Sequence, residues 1–66
     1  MFIKITDTEG LELLINVNNI VVIEKKPEYF AISVNYRVNT NSYNEATFYT
    51  EDNIFNIIER NNLNIT

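Results

Sequence analysis

The chain has 66 residues, of which nine are acidic and five are basic, so its net charge is −4. This length predicts one domain over residues 1–66, near the lower size limit for independent folding. The sequence holds no Cys and no His, which excludes disulfides, Cys/His zinc and haem sites, and Ser-His or thiol catalysis. Because 45% of the residues are hydrophobic, we expect a packed core rather than an acidic disordered segment.

The charge and hydropathy of the sequence limit which partners and which cellular location we expect for the protein. The basic residues include one adjacent pair, Lys25-Lys26, and form no basic stripe, so nucleic acid is not the expected partner. No apolar run approaches the roughly 18–20 residues of a membrane span, and the start of the chain lacks the features of a secretory signal. We therefore expect a cytoplasmic protein without membrane insertion. Twelve Asn and ten Ile residues indicate an AT-rich genome, bacterial or phage.

Alternation of apolar and polar residues predicts strands in the first half of the chain. Phe2–Thr6 leads into a hairpin turn at Asp7–Gly10, where the glycine is free to adopt positive φ. Leu11–Val17 returns as a second strand with a period of two. Ile20–Lys25 begins almost wholly apolar, which predicts a central strand covered on both faces or a strand that crosses the core, and Pro27 ends it. The apolar face of the second strand is expected to comprise Leu11, Leu13, Ile15 and Val17.

The second half of the chain predicts two long strands joined by a polar loop. Tyr29–Val38 alternates five times in succession, which predicts a sheet with one buried and one wetter face. The loop at Asn39–Ser42 leads to a fifth strand at Tyr43–Thr50. The inward side chains are expected to be Phe30, Ile32, Val34, Tyr36 and Val38 on the first of these strands, and Ala46 and Phe48 on the second.

The last predicted element is a helix. Thr50 is a suitable N-cap, and Glu51-Asp52 would then lie in the first turn, where the helix dipole favours negative charge. Asn61-Asn62 is the expected stop, which leaves about ten helical residues, too few to persist alone in water. The predicted fold class is therefore α+β: an antiparallel β-meander of about five strands, with the option of a small, partly open barrel, and one C-terminal helix docked on it. The docking stripe is expected to comprise Ile54, Phe55, Ile57 and Ile58.

Residues that could carry chemistry are few. Ser33 and Ser42 are the only serines, and no His is present to activate either. The neighbouring carboxylates Asp7/Glu9 and Glu51/Asp52 have no second cluster to complete a metal shell, and a turn and a helix start explain them. A single glycine cannot form a phosphate-binding loop. We therefore predict no catalytic residue, no metal ligand, no cofactor and no enzyme activity.

Outward aromatic residues predict an interaction surface for a protein partner. Tyr29 and Arg37 share the outward face of one strand, and Tyr43 and Tyr49 share that of the next. Tyr and Arg are enriched at binding hot spots, although Tyr is also a common strand former. Leu14, opposite the apolar face of its strand, is a further residue that needs cover. A small open meander also leaves free edges and a core that barely offsets the chain entropy, which predicts a homodimer through a sheet edge or a bound partner that supplies the missing burial.

Several short motifs are distributed over the first half of the chain: Ile3-Lys4-Ile5-Thr6, Gly10, Leu14-Ile15-Asn16, Asn19-Ile20, and Ile23-Glu24 followed by Pro27. This pattern resembles the short FlbD-type proteins of flagellar and swarming motility. The resemblance implies several strands, a terminal helix and a non-enzymatic motility accessory with no catalytic residues. The chain departs from that pattern at Arg37–Tyr43, which is longer and lacks the glycine of the family's tight Asn-Gly turn.

Three functions are compatible with these observations. The first is a non-catalytic interaction protein, a small adaptor or inhibitor encoded by a phage or mobile element. The second is the motility accessory that the resemblance implies. The third is a minimal nucleic-acid-binding barrel, in which Tyr29, Tyr43 or Tyr49 would stack on bases beside Arg37 and Lys25.

Overall fold

Five antiparallel strands and one helix make up the fold, as the alternation predicts. The computed structural model describes residues 1–65, with side chains described through Asn61. The strands form two sheets, one of two strands and one of three, and they do not close into a barrel. In chain order the elements are β1 (Phe2–Thr6), β2 (Glu12–Asn16), a 3₁₀ turn (Val17–Asn19), β3 (Ile20–Lys25), β4 (Phe30–Asn39), β5 (Ser42–Thr50) and α1 (Ile54–Ile65).

The first hairpin joins β1 to β2 in the predicted way. Ile3 pairs with Ile15 and Ile5 pairs with Leu13 in the antiparallel register, and these four side chains face the core. Gly10 adopts a φ of 90° in the turn, and one carboxylate oxygen of Asp7 accepts the N–H groups of Glu9 and Leu11. Leu11 itself belongs to the turn and is exposed, so the buried part of the second strand begins two residues later than predicted.

Strand β3 lies at an edge of its sheet, and the prediction of a central strand covered on both faces was wrong. The strand order is β3-β4-β5, because β4 pairs with β3 along one side and with β5 along the other. The register of β3 shifts between Ile20 and Val22, which leaves Val21 as the extra residue of a bulge. Val21 and Val22 are both exposed, so their apolar character does not reflect burial within the chain.

The β4–β5 hairpin extends beyond the rest of the molecule. Its first half is in the core, with Ile32 opposite Phe48 and Val34 opposite Ala46. Residues 35–45, called the arm below, are exposed almost throughout. Tyr36 and Val38 were predicted to be buried but lie about half exposed on this arm, because the first sheet and the helix cover only the other half of the hairpin.

Helix α1 begins four residues after the predicted N-cap, Thr50. The side chain of Asn53 accepts the N–H of Asn56 (3.2 Å), which makes Asn53 the residue that caps the helix. Glu51 and Asp52 precede the helix instead of occupying its first turn. The prediction failed because the Thr50 side chain is committed to a tertiary contact described below.

The helix also continues past its predicted stop at Asn61-Asn62 and reaches Ile65. The side-chain amide of Asn61 donates to the carbonyl of Ile57 (2.8 Å), one turn earlier. This bond satisfies the polar side chain within the helix, so Asn61 does not compete for the backbone in the way that ends helices.

The helix docks on the core through Ile54, which is fully buried, with Ile57 and Ile58 partly buried behind it. Phe55 lies at the margin and is about half exposed, where it makes an edge-to-face contact with Phe30 (ring centroids 5.5 Å apart, 84°). The predicted stripe is therefore used, but Phe55 contributes less burial than its neighbours.

A short seam joins the two sheets where β1 ends beside the end of β5. Asp7 and Thr50 form an isolated antiparallel bridge, and the N–H of Thr8 donates to the carbonyl of Tyr49 (3.0 Å). The fully buried Thr50 hydroxyl donates to the carbonyl of Thr6. These contacts hold the two sheets together at one end of the β4–β5 hairpin. The arm is at the other end, where neither the first sheet nor the helix covers it.

Candidate interaction surface

The outer face of the three-stranded sheet, opposite the core, carries all four residues predicted for the interaction surface. Arg37 is the register partner of Tyr43, and Tyr49 pairs with Ala31 on the same face. Tyr29 immediately precedes β4 and contacts Tyr49. The four side chains form two separate pairs, one beside the seam and one on the arm.

The pair beside the seam consists of Tyr29 and Tyr49. Their ring centroids lie 5.7 Å apart with an interplanar angle of 78°, the edge-to-face arrangement that aromatic quadrupoles favour. Both rings keep more than a third of their surface exposed. With Thr8 they line a shallow recess of about 220 Å³, and a neighbouring recess of about 450 Å³ adds Glu28 and Glu51 at its rim.

The pair on the arm consists of Arg37 and Tyr43. The guanidinium carbon lies 5.7 Å from the ring centroid, within the range of a cation–π interaction worth about 0.5–1 kcal/mol at an exposed site. Since the two residues are opposite each other in the ladder, the backbone register holds them together. Each side chain therefore limits the rotamers of the other before any partner arrives.

Small side chains fill the sheet between the two pairs. Ala31 and Ser33 lie on the outer face of β4, yet both are buried, because β3 and β5 flank them on either side. The hydroxyls of Ser33 and Thr47 lie 3.1 Å apart and share a hydrogen bond. A partner could approach the backbone closely over this part of the sheet, and Ser33 has a structural role there.

One carboxylate of each pair in the sequence accepts backbone N–H groups. Asp7 anchors the first turn, as described above, and one carboxylate oxygen of Asp52 accepts the N–H of Thr6 (2.8 Å). In the part of the chain that the structure describes, no group of three or more acidic, His or Cys side chains is placed to hold a metal ion. The turn explanation of Asp7 is confirmed, whereas the helix-start explanation of Asp52 was wrong.

A second surface was not predicted as a site. A groove of about 500 Å³ runs between β2 and the inner side of the β4–β5 hairpin, and its lining includes Phe2, Leu14 and Tyr36. The one feature of the sequence that points to this groove is Leu14, an apolar residue on the otherwise polar face of its strand. The groove itself depends on how far the arm extends beyond the first sheet, and alternation does not encode that.

Comparison with known proteins leaves the family open: no protein-family model, no curated protein and no solved structure matches the chain. The FlbD-type resemblance therefore stays a prediction. Within residues 1–65, no helix is long and apolar enough to cross a membrane.

Proposed function

We propose that this chain is a non-catalytic interaction protein, an adaptor or inhibitor, that binds a protein partner with its outer face. The observation that carries the proposal is the presence of two preformed side-chain pairs, Tyr29 with Tyr49 and Arg37 with Tyr43, on one face of one sheet. Its composition favours a phage or mobile-element gene and a cytoplasmic protein.

Preformed pairs favour binding because ordering a free side chain costs about 0.5–1.5 kcal/mol on association. Tyr49 packs against Tyr29, and Arg37 lies over Tyr43, so part of that cost is met in the free protein. Tyr and Arg are also the residues whose truncation most often weakens an interface. Ala31 and Ser33 lie between the pairs, and their small side chains allow a partner to pack closely against this part of the sheet.

The charges on this surface favour a protein over a nucleic acid. Glu24 and Glu45 belong to the same outer face by their register with Ala31 and Asn35. Carboxylates beside the tyrosines repel phosphate groups, which a nucleic-acid site must attract. The tyrosines alone would suit base stacking, so salt dependence separates the two partners.

The test is a tagged pull-down from cells of the source, with mass spectrometry of the proteins that co-purify, followed by titration of the captured partner. We expect a stoichiometric protein, and Tyr49→Ala and Arg37→Glu should each weaken its binding at least tenfold, or about 1.4 kcal/mol. Leu11→Ala is the control, because Leu11 is an exposed apolar residue in the first turn and lines neither recess beside Tyr29 and Tyr49.

Circular dichroism of each variant completes the experiment. Unchanged binding by folded Tyr49→Ala and Arg37→Glu would refute the outer face as the binding surface. If these substitutions unfold the protein, the assignment of exposed faces is wrong. A binding constant that falls steeply with added salt, with nucleic acid in the captured material, would replace the protein partner with a nucleic acid.

A further inference from the structure

The groove beside β2 has a volume of about 500 Å³. Its lining is apolar apart from three asparagines, and no charged side chain among the described residues contributes to it. Leu14 is 70% exposed at its margin, and Phe2 and Tyr36 are also about half exposed there. A monomer would present these side chains to water at a cost of roughly 25 cal/mol per Å² of apolar surface.

Two unpaired strand edges border this groove. β2 pairs with β1 along one side, and in the described residues its other side has no ladder. β3 pairs with β4 only as far as Val34, so the arm residues of β4 pair with β5 alone. Free N–H and C=O groups along such edges accept a further strand. The groove therefore offers both apolar contact and backbone hydrogen bonds to an extended segment.

The chain exposes more surface than a compact monomer of the same mass. The accessible surface is 4916 Å², whereas a compact monomer of this mass exposes about 4,300 Å². The radius of gyration is 12.4 Å, against about 10.8 Å for an average domain of this length. The excess surface, about 600 Å², matches what each partner buries at the lower end of stable interfaces.

We propose that the groove and the inner side of the arm form a homodimer interface, in which the arm of a second copy lies in the groove of the first. Each protomer carries both the projecting arm with Tyr36 and the recess with Leu14. A two-fold axis would therefore place the arm of each copy in the groove of the other and bury both surfaces in both copies.

The charges permit this contact between two acidic chains. The uncharged lining avoids opposing like charges, although each chain carries −4. The nearest charged pair on the first sheet is Lys4 with Glu12, 2.6 Å apart. The hydrogen bond and the charge of Glu12 raise the pKa of Lys4, which favours the protonated amine in this pair. The dimer does not rest on the proposed function, because the outer face remains free.

Light scattering coupled to size-exclusion chromatography tests the interface. The wild-type mass should be about twice the 7.7 kDa of one chain. Leu14→Arg should give the mass of one chain, or at least a tenfold weaker dimer. Leu11→Arg is the matched control, since Leu11 is also a leucine with 59% exposure but does not line the groove, and it should stay dimeric.

A second pair of variants keeps the test decisive if Leu14→Arg does not fold by circular dichroism. Tyr36→Glu should dissociate the dimer, whereas Tyr43→Glu, which adds the same charge on the outer side of the same arm, should not. The proposed function predicts the reverse for binding of the protein partner: Tyr43→Glu should weaken it and Tyr36→Glu should not. Each proposal can therefore be refuted without the other. A wild-type mass of 7.7 kDa at every concentration, or equal masses within each matched pair, would overturn the dimer interface.

Discussion

The hydroxyl of Thr50 provides the sharpest test of how the two sheets are joined. It donates to the carbonyl of Thr6 and accepts the N–H of Asp52 (3.0 Å) from a side chain with no exposed surface. Thr50→Val keeps the shape of the side chain and removes both hydrogen bonds. The substitution therefore isolates the polar contribution of the seam from its packing.

The expected loss of stability follows from which groups are left without a partner. A buried polar group that loses its hydrogen bond costs about 1–3 kcal/mol. Thr6 is exposed and Asp52 is partly buried, so water can reach both backbone groups, and the loss is that of two hydrogen bonds worth about 0.5–1.5 kcal/mol each. We expect a loss of about 2 kcal/mol, which corresponds to a decrease of roughly 8–16 °C in Tm for a domain of this size.

Urea denaturation at one fixed protein concentration measures this loss, because the stability of a dimer depends on concentration. Thr8→Val in the first turn is the control: Thr8 is exposed, and its hydroxyl makes no hydrogen bond within the described residues, so we expect a loss below about 0.5 kcal/mol. Equal losses for the two variants, or a loss below about 0.5 kcal/mol for Thr50→Val, would refute the argument that the buried hydroxyl holds the sheets together.

Three further substitutions test other parts of the fold by thermal unfolding at the same concentration. Asn53→Ala should cost about 1 kcal/mol, because it removes the side chain that caps α1; no loss would place the helix start elsewhere. Gly10→Ala should cost about 1–2 kcal/mol although there is free space around the added methyl group, since a φ of 90° strains an L-residue. Ile32→Ala, at a position with 0% exposure, should cost about 2–5 kcal/mol, and a smaller loss would mean that the core is loosely packed there.

The strands were predictable because most of them leave a period of two in the sequence, and Ile20–Lys25 leaves an apolar run. The alternation through Phe30–Val38 and the turn with Gly10 reflect local requirements, and both are found in the structure. Periodicity assigns residues to faces but does not identify neighbours. For that reason Ile20–Lys25, apolar enough for a central position, could not be recognised as an edge strand, and the exposure of Tyr36 could not be foreseen from its phase.

The start of the helix shows why local signals can compete. Thr50 and Asn53 are both good N-caps by residue type, and they lie three positions apart. The choice is made by the carbonyl of Thr6, which is 44 residues away in the chain and takes the Thr50 hydroxyl. A preference that depends on a long-range hydrogen bond is not contained in the local sequence.

The proposed interaction surface was partly predictable for the same reason as the strands. Phase alone puts Tyr29 and Arg37 on one face of one strand, and Tyr43 and Tyr49 on one face of the next. The contact of Arg37 with Tyr43 depends on the register of the hairpin. That register depends on the tight turn at Thr40–Asn41, where the side chain of Asn39 accepts bonds from Asn41 and Ser42, and on a register shift between Arg37 and Asn39. Composition would not reveal this geometry.

The two proposals assign opposite sides of one hairpin to different partners, and this has a consequence for affinity. If the inner side of the arm is buried between two copies, the paired side chains of the outer face occur twice in each particle. A target with two copies of the recognised surface would then be held by two contacts at a high effective concentration, which raises affinity without any new contact. A chain with a core as small as this one would gain folding stability from the same association, since ligation of the native state shifts the folding equilibrium. Dimer formation would therefore couple the stability of the fold to the strength of binding.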